Sequence, residues 1–433
     1  MDVNFHRTEM LPPQMPPVTE RGVVKWLREN LFSSLPNGAL TLLGAVALYY
    51  LVSSLWPWFA NSVWTADSLQ ECRQIITAAA GEGATGACWA LIRERWHQFI
   101  FGFYPQALYW RPTLAFILLF VALAPVLFPH PPRKLFWFTF LYPATAFFLL
   151  WGGSVWMPVV VMLGFGVIAL VYRLLLAPLG VTMATSLGVL AACLWWLFAD
   201  APVTEFLQTH LPLSIPSVDS DEFGGFMLAI IIGVTAISFS LPLGILLALG
   251  RQSDMPIVKT ICVGFIEFIR GVPLITLLFT ASLILGYFLP VGVTFDVILR
   301  VMILVTFFAA AYLAEVIRGG LAALPRGQYE AADALGLDYW RAQRLIILPQ
   351  ALKISIPGIV STFIGLFKDT TLVSFVALLE PLRGVTTAVR ADTDWQGIYW
   401  EPYIFVGAIF FLICFGMSRY SMYLENKLKT DHR

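Results

Sequence analysis

The sequence predicts an all-α, polytopic membrane protein with about ten transmembrane helices. Of its 433 residues, 58% are hydrophobic and only 12% are charged, and the mean hydropathy is +0.77. Soluble domains are about 25% charged. Apolar runs of about 20 residues, enough to cross a ~30 Å hydrocarbon core, recur along the chain. Lys and Arg concentrate on alternate connections between those runs. Lys+Arg and Asp+Glu both number 27, so no net positive charge argues for nucleic acid.

In chain order, residues 1–37 are polar and carry the proline cluster LPPQMPP, which reads as a flexible tail. No short apolar segment with a small-residue cleavage site opens the sequence, so no cleaved signal peptide is expected. Residues 38–199 form a five-span region with spans near 38–58, 112–130, 135–152, 155–173 and 182–199. The boundary between the third and fourth falls at Gly152-Gly153-Ser154. Residues 200–222 form a linker, and 223–424 a second five-span region with spans near 223–249, 259–289, 298–318, 352–377 and 402–424. Residues 425–433 are a tail.

Charge sets the orientation. With the N-terminus in the cytoplasm, the inner segments hold Arg7, Arg21, Lys25, Arg28, Arg133, Lys134, Arg173, Arg251, Lys259 and the basic residues from Arg318 to Lys353. The C-terminal Lys427, Lys429 and Arg433 are then cytoplasmic too. The outer segments 200–222 and 290–297 contain no Lys or Arg. Arg73, Arg93 and Arg95 in the outer loop 59–111 depart from the pattern, but long loops translocate largely regardless of charge. Arg383 and Arg390 also depart from it. Trp89, Trp96 and Trp110 in that loop fit a protein interface or a membrane-surface contact.

Catalysis finds no constellation. His6, His97, His130, His210 and His432 are scattered, with no metal-ligand spacing. The five cysteines form no CxxC; Cys72 and Cys88 share the loop 59–111, either bridged in an oxidising compartment or as two free thiols. No GxxxxGK[ST] is present, so nucleotide-driven work would need a separate nucleotide-binding subunit.

The stretch EAADALGLDYWRAQRLIILP, residues 330–349, is polar within an oily chain. Ala331, Ala332 and Ala334 favour helix. Gly336 suits a left-handed stop and Asp338 an N-cap for a helix from Tyr339. Pro349 and Pro357 are expected to kink or break the chain as it re-enters the bilayer. Such a helix either docks in a partner's groove or lies on the membrane surface.

Glu330-Ala331-Ala332, Gly336, Ile346, Leu348 and Pro349 fit the pattern EAA-x3-G-x9-I-x-L-P. This resembles the EAA loop of membrane subunits of bacterial ATP-binding-cassette (ABC) importers. Phe268-Ile269-Arg270-Gly271-Val272-Pro273-Leu274, Ala314 to Gly320 and Lys368-Asp369-Thr370-Thr371-Leu372 resemble the histidine/glutamine-type permeases over about 223–424. The family's RGTP carries Val272 here. The whole chain resembles the larger permeases of glutamate/glutamine/aspartate/asparagine and general L-amino acid systems.

The resemblance implies an ABC type I importer core in the last five spans, with the EAA loop, 319–351, as coupling helix. Glu330, Ala331, Ala332, Gly336 and Pro349 would serve ATPase coupling. The implied partners are an ABC ATPase dimer that uses ATP and Mg, a second permease subunit (a related chain rather than self), a periplasmic amino-acid-binding protein and membrane lipid. The chain would bind no cofactor, metal or nucleic acid itself, and would sit in the bacterial inner membrane with both termini cytoplasmic. The other reading is an ion-coupled secondary transporter.

Ionisable residues inside a span are functional candidates by default. Glu267 with Arg270, and Glu315 with Arg318, are three apart on one helix face and are expected to pair as structural ions. Lys368, Asp369, Thr370 and Thr371 lie deeper and offer a cation, an anion and two hydroxyls, the complement of a zwitterionic amino acid. Their alternative is a self-neutralising pair that stabilises packing. Ala309, Ala310 and Ala311 suit close helix packing.

Overall fold

The computed structural model describes residues 22–288 and 295–428. Most of the tail 1–37, most of the outer segment 290–297 and most of the tail 425–433 lie outside the described residues, as do His6 and His432. The chain divides into two compact units, Met1–Ala90 and Leu91–Arg433.

In the first unit, α1 is Gly22–Asn30 and α2 is Leu35–Ala60. Ser34 caps α2 by accepting from the Asn37 N–H, and Pro36 sits in its first turn, where a missing N–H costs nothing. No residue of α2 is buried. Residues beyond it are folded rather than loop-like: α3, Leu69–Ala80, is capped by Ser68 and held to the following segment by a Cys72–Cys88 disulfide, with Cα atoms 6.0 Å apart. Trp64 stacks on Trp89.

The second unit takes in all but the first residue of α4, Ala90–Phe101, then α5, Trp110–Leu127, and α6, Leu135–Trp151. Gly152 and Gly153 both take positive φ and turn the chain into β1, Gly153–Ser154. Helix α7, Trp156–Leu194, contains a reversal at Gly180, whose φ is +73°. The indoles of Trp195 and Trp196 therefore donate back to the carbonyls of Val160 and Val161. Arg173 is helical rather than in a loop. α8, Asp200–His210, continues the fifth span well past residue 199, so the linker 200–222 begins as helix. β2, Ser214–Ile215, pairs antiparallel with β1.

The last five-span region comprises α9, Gly225–Gln252; α10, Pro256–Gly271; α11, Leu274–Phe288; α12, Val297–Ala322; α13, Gly327–Ala334; α14, Tyr339–Ala342; α15, Leu348–Asp369; α16, Pro381–Ala391; and α17, Trp400–Leu428. Among the described residues eight helices are long and apolar enough to span, and the bent pair α10–α11 makes a ninth. The expected tenth, α6, has only 17 residues.

The expected straight span 259–289 is corrected: α10 and α11 meet at 101°. Pro273 lacks an N–H and forces Val272 into extended backbone, φ −112° and ψ 132°, so the helix cannot run through. Pro357 does the opposite of what its residue type suggests and lies inside an unbroken α15.

α12 is the axis of this unit. One apolar cluster gathers at its N-terminal end, with Ile298, Val301 and Val305 against Tyr104, Phe223, Leu366, Val376 and Leu378. A second gathers at its C-terminal end, with Leu313, Ile317 and Leu321 against Leu249, Ile266, Ile347 and Ala351. Small residues bring α9 and α12 together: a Cβ on Gly244 would lie 2.8 Å from the Leu313 Cβ, and Ala309 to Ala311 are buried there. Packing is thus their observed role.

Candidate functional site

The polar insert folds as a capped corner. α13 ends in a Schellman motif: Leu337 N–H donates to Ala332 C=O at 3.2 Å and Gly336 N–H to Asp333 C=O at 2.9 Å. Gly336 sits at φ +66°, a conformation that favours glycine. Asp338 caps α14, accepting from Arg341 N–H at 3.0 Å. The chain then widens into a π-helical turn over Gln343–Ile347 before α15, which has Pro349 in its first turn. Gln350 ties the two sides of the corner by donating to the Gln328 side chain at 3.0 Å.

The corner has two faces. Ala332 is buried, and Tyr329 and Ile347 pack into the cluster at the C-terminal end of α12. Glu330, Ala331, Ala334 and Leu335 are exposed, as are Tyr339 and Trp340 beyond the glycine. Of the five sequence-selected coupling residues, Ala332 therefore faces the core, while Glu330, Ala331, Gly336 and Pro349 are on the surface. The exposed face is thus backed by a close-packed contact with the cluster shared by α12 and α15.

Beside that cluster lies an ion network, and here the expected pairing is corrected. Glu267 does not pair with Arg270. Arg251 of α9 reaches Glu267 Oε1 at 2.8 Å and Glu315 Oε2 at 3.4 Å, and Arg270 reaches Glu315 Oε2 at 3.6 Å. Arg318 forms the expected pair with Glu315, its Nε donating at 2.8 Å. Arg270 also lies over the Tyr312 ring, 5.5 Å from its centroid. Three guanidiniums and two carboxylates so join α9, α10 and α12. A reading confined to one helix face sees i, i+3 partners only, whereas the bend at Pro273 delivers α10 to its neighbours.

Lys368 to Thr371 lie at the other end. Lys368 is 20 residues past Leu348, ~30 Å along the helix. Thr370 packs near Gly233, the ninth residue of α9, which puts the group ~12 Å in from that helix's start. Lys368 is exposed, Asp369 half-buried and Thr370 buried. No ion pair joins Lys368 to Asp369 among the described residues, so the self-neutralising pair does not form. Both threonine hydroxyls donate to their own helix, Thr370 to Phe367 C=O and Thr371 to Lys368 C=O. The Thr371 oxygen keeps lone pairs that can accept, whereas Thr370 is fully buried.

One group was missed. Glu380 is 1% exposed and caps α16, accepting from Leu382 N–H at 2.7 Å and Arg383 N–H at 2.6 Å. Burial pushes its carboxyl up to about 7, against the opposing pull of those two N–H groups and the Arg383 charge. Arg383 in turn donates to Ser374 C=O at 2.9 Å. The sequence signal was there: Glu380-Pro381 is a cap followed by proline in the first helical turn.

Residues 240–430 match the family described as binding-protein-dependent transport system inner membrane component. The chain is similar, at 66% identity over 432 residues and the full length of both proteins, to the glutamate/glutamine/aspartate/asparagine transport system permease protein BztC of Rhodobacter capsulatus. It is 37% identical over 423 residues, 97% of this chain and 96% of the other, to the inner membrane amino-acid ABC transporter permease protein YhdY of Escherichia coli. It is also 32% identical over 208 residues, 47% of this chain and 91% of the other, to the glutamate/aspartate import permease protein GltK of Escherichia coli.

Proposed function

The chain belongs to the inner-membrane permeases of amino-acid ABC importers, multi-pass components distinct from the ATPase, and from that premise we propose that it moves glutamate, glutamine, aspartate and asparagine inward. The substrate class follows the 66% identical relative whose length it matches throughout. ATP with Mg is hydrolysed on a separate ATPase dimer. A second, related permease completes the pathway, and a periplasmic amino-acid-binding protein delivers substrate. Both termini face the cytoplasm, which puts α13 inside and α4 outside.

The observation that carries this reading is the two-faced corner at α13. Its exposed side offers small residues, a carboxylate and Leu335 to a soluble partner's cleft, while its buried side is packed on α12 and α15. Closure of the ATPases would push α13, and the push would reach Lys368 to Thr371 along α15. Lys368 would meet the substrate α-carboxylate and Asp369 its ammonium, with the Thr371 oxygen as acceptor and the buried Thr370 supporting the turn.

The test is uptake of labelled amino acids into liposomes holding the full complex, with and without ATP, beside Gly336→Val. Valine is strained at φ +66° although nothing lies within 4 Å of its Cβ position. The proposal expects ATP-dependent uptake of the acidic and amide amino acids, and a variant that assembles poorly or hydrolyses ATP without transport. Uptake that follows an ion gradient and ignores both ATP and Gly336 would sink it.

A further inference from the structure

The long outer loop contributes a helix to the transport core. We infer that α4 is a brace that positions the segment 378–398 at the outer mouth, and that the two stay together through the transport cycle. The inference rests on the importer reading above for what the mouth does, though not for the contact itself.

The contact is built from charge, apolar burial and glycine. Arg95 Nη2 lies 2.6 Å from Asp392 Oδ2. The Trp395 indole donates to Glu94 Oε2 at 2.9 Å, and Trp395 is 1% exposed. Phe99 is fully buried, with its ring 5.9 Å from that of Phe405 on α17. Backbone meets backbone at the start of α9. A Cβ on Gly102 would fall 2.4 Å from Gly224 Cα, and one on Gly225 would fall 2.3 Å from Phe99 C=O. Gly225 N–H in turn donates to Leu379 C=O at 2.7 Å. Three pieces of chain, near 99–102, 223–225 and 379, are thus stacked with no side chain between them.

This is more than loop packing, because of what the braced segment connects. It begins where the Thr370–Val376 turn ends, directly after the candidate substrate residues, and it carries the buried Glu380 and α16 into α17. Fixing residues 379 and 392–395 fixes one wall of the mouth, so opening must take place at the others. Glu94 and Trp395 are 301 positions apart, so the 208-residue match to the half-length glutamate/aspartate permease does not contain both. In this chain the N-terminal half supplies the brace.

The test compares Arg95→Glu, Asp392→Arg and the double swap in the full reconstituted complex. Three quantities are read: backbone hydrogen exchange over 379–398, substrate moved per ATP hydrolysed, and complex yield. Each single reversal is expected to speed exchange over 379–398 by about tenfold, the order set by loss of a charge-assisted contact. It should also lower substrate per ATP several-fold, with exchange in α12 unchanged. The swap restores the ion pair but not the Asp394 N–H bond that Asp392 Oδ1 accepts at 3.1 Å, so it should bring both quantities closer to native than either single variant does. Should a reversal fail to assemble, Trp395→Phe removes the N–H donated to Glu94 together with part of the buried ring, and is expected to shift the same two quantities in the same direction. Unchanged exchange and stoichiometry in the single variants, or no recovery in the swap, would overturn the brace. If the native complex shows no ATP-driven uptake, the importer reading fails, while the exchange data still judge the contact.

Discussion

Replacing Glu315 by Gln should unbalance the ion network far more than replacing Glu267. Glu315 contacts three guanidiniums: Arg251 at 3.4 Å, Arg270 at 3.6 Å and Arg318 through its other oxygen. At an effective dielectric near 20, each such contact is worth about 5 kcal/mol of gross attraction. Desolvation and screening offset most of that, because these side chains remain 24–41% exposed. A net loss of about 2–3 kcal/mol remains, between the values for exposed and buried pairs. Glu267 makes one contact, to Arg251 at 2.8 Å, and its side chain is 54% exposed. Its neutralisation should cost about 0.5 kcal/mol. In thermal unfolding of the purified complex, Glu315→Gln should lower Tm by about 2–3 °C and Glu267→Gln by about 0.5 °C. Raising ionic strength should erase the smaller effect and spare most of the larger. Equal shifts for the two variants would refute the assignment of Glu315 as the hub.

Two further outcomes follow from the packing of α12 and α15 and from Glu380. A Cβ on Gly320 would lie 2.1 Å from Ser355 Oγ and 2.5 Å from Ala351 C=O, whereas one on Gly319 meets nothing within 4 Å. Gly320→Ala should therefore cost about 1–3 kcal/mol by forcing the helices apart, while Gly319→Ala should gain up to about 1 kcal/mol from helix propensity; complex yield and Tm separate them. Glu380 has a raised folded pKa of about 7, so the folded state binds its proton more tightly than the unfolded chain does. Its contribution is fully present below the unfolded carboxyl value and is lost as pH rises through about 7. Protection of the 379–391 amides, taken after correction for the intrinsic base-catalysed rate, should fall across that window, and Glu380→Gln should flatten that fall.

The parts of the site legible in the sequence are the local ones. Gly336 announces a left-handed stop and Asp338 a cap because both act within four residues of themselves, and both do so in the fold. The disulfide stood open between two readings, since a spacing of 16 residues does not fix whether two Cα atoms come within bridging reach. Glu267 was paired with Arg270 on helical spacing alone, and the partner came instead from α9, 16 residues away. The loop 59–111 read as a loop because α4 mixes charge with aromatics and shows no clean apolar stripe; its Phe99 is buried by residues about 300 positions later.

By itself the sequence determined that the chain is an all-α polytopic membrane protein and that residues 330–349 form a polar corner built on a left-handed glycine and a cap. These follow from composition, run length and short-range backbone preference, which need no knowledge of neighbours. The tertiary structure alone decided which charges meet, which side of α13 is exposed, where Lys368 to Thr371 lie against α9, and that α4 seats itself against α9 and the 392–395 turn. Those depend on the 101° bend at Pro273 and on glycine contacts between distant segments. Contacts of that kind are set by shape in three dimensions, and no one-dimensional period encodes them.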